Sequence, residues 1–167
     1  GEYWREGIVS KIEKSENSES LVANIDFTAT SLWRQPYRVT GTTSVEILSN
    51  TKNESGCHIM IRGQMSSPSW THKVDGSTRV TGQLENKTLP SGQTISAAIG
   101  ANDVLHIRTD VTPYEIYKTT GSVKTDMYRC SKWNTGRFCL VEYGKNLITC
   151  ANATSIEVEG ELEYETV

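Results

Sequence analysis

Leu21-Val22-Ala23-Asn24-Ile25-Asp26-Phe27-Thr28-Ala29-Thr30 is the stretch that decides the fold class. Leu21, Ala23, Ile25, Phe27 and Ala29 alternate with Val22, Asn24, Asp26, Thr28 and Thr30. A period of two is what a strand with one covered face produces, and a helix does not produce it. The same period returns near the C-terminus. There Ile156, Val158, Gly160, Leu162 and Tyr164 share one face, and Glu157, Glu159, Glu161 and Glu163 share the other. Glutamates in a row repel one another unless water or a cationic neighbouring strand faces them.

Between these ends, short β-branched segments bounded by Gly, Asn, Asp or Pro predict strands at 38–48, 57–63, 78–84, 94–99, 104–111, 114–118, 122–129, 138–143 and 147–151. No stretch of eleven or more residues carries a helical period. Turn signals at this spacing predict an all-β, antiparallel β-sandwich, immunoglobulin-like or jelly-roll. The segment 8–14 and the terminal strand are expected to fill the sheets from within. At 167 residues the chain suits a single domain spanning 1–167, since two domains would each be marginal. Hydrophobic residues make up 36%, with Ser and Thr spread along the chain, as suits sheets with a wet outer face.

The net charge is -3 with Lys and Arg scattered, so no basic field marks nucleic acid as a partner. No segment has the length of a membrane span. Gly1 opens the chain without Met or an apolar leader, which reads as a processed or trimmed N-terminus. Cys57, Cys130, Cys139 and Cys150 form an even set without a CxxC pair, which speaks against a zinc knuckle or a thioredoxin-type site and for two disulfides in an oxidising compartment. Tyr143-Gly144-Lys145-Asn146 reads as a two-residue hairpin, and counting outward sets Cys139 opposite Cys150, leaving Cys57 to Cys130. A Cys130–Cys139 bridge closing the turn between them fits the sequence nearly as well, and both pairings stand open.

His58, His72 and His106 form no HxH or HxxxH pair, so the expectation is no metal and no cofactor. No GxSxG is present, Gly76-Ser77 and Gly121-Ser122 read as turns, and no carboxylate pair stands out as a glycosidase pair. The chain is therefore expected to bind and not to catalyse.

The informative aromatics fall in segments that read as loops. Trp70 lies in a polar stretch between Pro68 and Gly76, and Trp133 lies between Lys132 and Asn134. An indole in a loop, flanked by polar side chains, is suited to stack on a sugar ring. Trp70 and Trp133 are thus the candidate stacking platforms, with Asp75, Lys132, Asn134 and Arg137 as polar partners. The alternative is that each indole folds back to cap the core. Tyr114 and Tyr117, beside Pro113, fit either a binding rim or ordinary cross-strand contacts.

The helix-free strand pattern, the Ser/Thr-rich composition, the expected disulfides, the processed-looking start and the closing strand at 156–164 together resemble the adhesin (lectin) domains and pilins of bacterial chaperone–usher fimbriae. The resemblance is one of overall style and spans the chain; it transfers no binding residues. It implies an extracellular, cell-surface (fimbrial) protein that attaches to a host glycan or glycoprotein, with neighbouring fimbrial subunits as further partners. The alternatives are a structural fimbrial subunit that binds by strand addition, and a secreted viral glycoprotein that engages a host receptor. The sequons at Asn53, Asn86 and Asn152 bear on the latter.

Overall fold

The structure, a computed structural model, describes residues 5–16, 21–29, 32–134 and 138–164. In chain order the strands are β1 (Gly7–Glu16), β2 (Leu21–Ala29), β3 (Trp33–Gly41), β4 (Ser44–Ser49), β5 (Ser55–Arg62), β6 (Ser69–Val74), β7 (Ser77–Leu84), β8 (Lys87–Thr88), β9 (Thr94–Ile95), β10 (Asp103–Arg108), β11 (Glu115–Thr120), β12 (Val123–Asp126), β13 (Ser131–Trp133), β14 (Leu140–Val141), β15 (Gly144–Cys150) and β16 (Ser155–Tyr164). A single 3-10 turn at Tyr128–Cys130 is the one helical element among the described residues, so the all-β class holds.

A large antiparallel sheet runs β12-β11-β10-β5-β16-β3, with β14 added alongside β5. A smaller one runs β13-β7-β6-β15-β4. Their inner faces contribute to one core: Ile59, Ile61, Leu105, Ile107, Ile156 and Val158 from the large sheet meet Val45, Trp70, Val80, Leu84 and Ile148 from the small one. The terminal strand follows its sequence pattern. Ile156, Val158 and Leu162 are buried. The glutamate face is met by basic side chains: Glu157 pairs with Arg38, Glu161 and Glu163 with Arg34, and Glu159 contacts His58 Nδ1. Strand β16 is thus an interior strand between β5 and β3, with its acidic row faced by basic side chains of the neighbouring strands.

Several expectations are corrected. The run 38–48 is two strands, because the chain passes from one sheet to the other at Gly41, where a side chain would strike the backbone carbonyl of Ser44. The stretch around Trp70 is strand β6, in which Trp70, His72 and Val74 alternate inward. Gly82 stands opposite Trp70, and a Cβ there would lie 2.5 Å from the indole, so the ring packs against the glycine as only a bare backbone permits.

The hairpin expected at 143–146 does not form. Strand β14 pairs with β5 in the large sheet, while β15 pairs with β4 and β6 in the small one. The turn is a corner between sheets, held by the fully buried Asn146. Its Oδ1 accepts from the Glu142 N–H at 3.0 Å and from His72 Nε2 at 3.0 Å. Its Nδ2 donates to the carbonyls of Glu142 at 2.7 Å and Gly144 at 3.1 Å. Cys139 and Cys150 therefore follow different sheets, and the reason for pairing them disappears. All four cysteines are buried free thiols, which corrects the expectation of two disulfides.

Candidate assembly surface

Strands β1 and β2 pair only with each other; among the described residues no strand of the two main sheets joins them. The strand expected at 21–29 forms, but its central apolar residue Ile25 is not covered by the body. Ile25 is 59% exposed, as are Ile8 at 61%, Val9 at 54% and Ile12 at 59%. The expectation that the segment 8–14 fills a sheet from within is thereby corrected.

The register explains how these residues gather. Val9 pairs with Phe27 and Lys11 with Asp26, so the ladder shifts between them. A bulge adds one residue on one strand and resets its alternation. Val9 and Ile12, three apart in sequence, thus reach the same face as Ile25, which stands directly opposite Ile12. The Arg5 guanidinium lies 5.0 Å over the Trp33 ring, next to the point where the arm meets the body. Two-stranded ribbons are marginal in water without a covered face. Exposed apolar residues gathered in this way are what interaction surfaces are made of.

A second surface lies at the β11–β12 edge. Pro113, Tyr114, Tyr117, Tyr128 and Phe138 line a groove of about 570 Å³, with Tyr114 and Phe138 edge to face at 4.7 Å. Lys124 Nζ sits 3.9 Å above the Tyr117 ring.

The residues singled out from sequence are distributed as follows. Trp70 is 1% exposed and offers no face to a sugar. Trp133, half-buried on edge strand β13, packs its ring against Trp70 at 5.3 Å and Phe138 at 4.8 Å, so the two indoles adjoin, Trp70 within the core and Trp133 against its edge. Lys132 is exposed and pairs with Glu85 at 3.2 Å. Asn134 Oδ1 accepts from the Thr81 N–H at 2.9 Å. Asp75 is at the opposite end of β6, with φ of 47°, and accepts from the Lys145 N–H at 2.9 Å. Arg137 lies outside the described residues.

One cluster was invisible in sequence. His58 Nε2 and His106 Nδ1 share a hydrogen bond at 2.9 Å, His58 Nδ1 contacts Glu159 at 3.2 Å, and His106 Nε2 contacts Thr119 at 3.0 Å. Adjacent strands β5 and β10 bring together imidazoles that lie 48 residues apart. Burial, then the charges of His58, Arg62, Arg108 and Lys124, hold the His106 pKa down to about 4. Among the described residues no group of three or more His, Cys, Asp or Glu side chains is placed to hold a metal ion. No described helix is long and apolar enough to cross a membrane.

No family model matches the sequence, and no characterised protein matches it in sequence. Solved structures do share the fold. A chain of the phage P2 baseplate, in its activated conformation with calcium, matches with a TM-score of 0.57 at 10% identity over 99% of this chain and 66% of that one. The strontium form of that baseplate matches equally. The Dit protein (gp 19.1) of SPP1, described as a paradigm of hub adsorption apparatus in phages that infect Gram-positive bacteria, matches at 0.53 and 5% identity over 96% of this chain and 60% of that one. The chain thus spans about two thirds of the length of these neighbours, and the likeness is one of fold. It corrects the fimbrial reading: the fold is shared with phage baseplate and hub chains, so the adhesin family, the host-glycan and fimbrial partners and the fimbrial location drawn from overall style are withdrawn, together with the strand-adding pilin and receptor-binding glycoprotein alternatives.

Proposed function

We propose that this chain is a structural subunit of a phage tail-tip assembly of the baseplate or hub kind, one that acts by protein–protein contact and not by catalysis. The observation that carries the reading is the β1–β2 arm, whose apolar residues Val9, Ile12 and Ile25 face solvent on a ribbon that the two main sheets do not extend. The fold shared with baseplate and Dit chains supports the same reading. On this account residues 1–167 work as one unit, a jelly-roll-like sandwich whose chain switches repeatedly between sheets, with the hairpin as its projecting arm.

The partner is a second copy of the chain. A contact between an arm on one copy and a different surface on the next is heterologous, and heterologous contacts close into rings when the rotation permits. Light scattering behind size exclusion, over a range of concentrations, tests this. The wild type is expected to form an oligomer of fixed copy number. Ile12→Asp and Ile25→Asp are expected to be monomeric with unchanged circular dichroism, since neither side chain packs in the core. Monomer at every concentration for all three proteins would overturn the reading.

A further inference from the structure

We propose that Cys57 and Cys139 are a latent disulfide pair, the one cross-link that this fold is built to accept. Strand β14 lies antiparallel to β5 with Leu140 opposite Gly56 and Val141 opposite Ser55. One step further along the same register brings Cys139 to Cys57. The Cys57 thiol already points at its neighbour, 3.5 Å from the Cys139 carbonyl oxygen. Thr109 fastens the two backbones together: its hydroxyl donates to the Cys139 carbonyl at 2.7 Å and lies 3.1 Å from that of Cys57, and it accepts from the Cys57 N–H at 2.9 Å. Directly opposed residues of antiparallel strands lie within the Cα separation that a disulfide spans.

The other two cysteines have different company. Cys150 lies in the small sheet, its thiol 3.7 Å from the Met65 sulfur, and Cys130 contacts the Ile95 carbonyl at 3.9 Å.

The pair is latent because both thiols are fully buried. Burial pushes Cys57 up to about 12 and Cys139 well above its usual value, so neither forms the attacking thiolate inside the closed core. Oxidation therefore proceeds from the opened chain, with oxidised glutathione as the oxidant. One cysteine thiolate attacks a glutathione sulfur, the glutathione S–S bond breaks, and one glutathione thiolate leaves and takes up a proton. The other cysteine thiolate then attacks the protein sulfur of the mixed disulfide and expels the second glutathione. Two protein thiols are oxidised, and one glutathione disulfide is reduced to two glutathione thiols.

The test is refolding of the denatured, reduced chain by dilution into a glutathione redox buffer, followed by alkylation of remaining thiols and peptide mapping without reductant. The expected product carries one cross-link, Cys57 to Cys139, with Cys130 and Cys150 alkylated, and its urea midpoint lies above that of the reduced protein. The Cys130→Ser/Cys150→Ser variant is mapped alongside and is expected to form the same link. A Cys139–Cys150 or Cys57–Cys130 link, or four alkylated cysteines in the wild type and two in the variant, would overturn the proposal.

Discussion

Replacing Asn146 by Leu removes the hydrogen bonds of the corner that carries the chain from one sheet to the other while keeping the side chain's branching and heavy-atom count. Asn146 is fully buried, and its amide answers the N–H and C=O of Glu142, the C=O of Gly144 and the Nε2–H of His72. Each buried polar group left unpaired costs about 1–3 kcal/mol. Glu142 and Gly144 are only partly buried, so water relieves some of this. His72 is buried with no such relief, and its Nδ1 already lacks a hydrogen-bond partner among the described residues. The sum is a loss of about 3 kcal/mol, a large share of the stability of an ordinary domain. Equilibrium urea unfolding followed by tryptophan fluorescence reads it directly. In a double-mutant cycle with His72→Phe, the two losses should be less than additive, because they share one hydrogen bond. A loss under about 1 kcal/mol for Asn146→Leu would refute the claim that this side chain holds the corner.

Other consequences follow from the same geometry. Gly82→Ala should cost about 1–3 kcal/mol by forcing the Trp70 ring from its seat, and Trp70→Leu should remove most of that penalty; equal costs in both backgrounds would contradict the packing described. For pH, the His106 value of about 4 lies below its unfolded value. The unfolded chain therefore binds the proton more readily, and the stability contributed above about pH 6.5 is lost as the pH falls toward 4. After discount for solvent screening at this partly buried ring, the loss is about 1–2 kcal/mol. Urea midpoints between pH 7 and 4 should fall less steeply in His106→Gln, and an unchanged slope would count against the assignment.

The class of fold was legible because alternation needs no knowledge of partners: Ile156, Val158 and Leu162 are buried as their period requires. What covers an apolar face was not legible. Ile25 sits in as clean an alternation as Ile156, yet one is exposed and the other buried, since the pattern records only that a face is apolar. Trp70 was misread because Pro68 and Gly76 bracket a strand of only six residues whose outward positions are polar. Cys139 was set opposite the wrong cysteine because a Gly at the first turn position implies a hairpin, whereas the Gly144 φ of 107° and the Asn146 side chain serve a change of sheet. The His58–His106 contact depends on strand register, which spacing in sequence does not reveal.

On the proposed reading, the β1–β2 arm is an assembly surface between copies of this chain. Cryo-electron microscopy of the concentrated protein tests it most directly. Closed rings are expected, in which the Val9, Ile12 and Ile25 face of each copy lies against its neighbour. Single particles, with that face folded back onto their own two sheets, would contradict it.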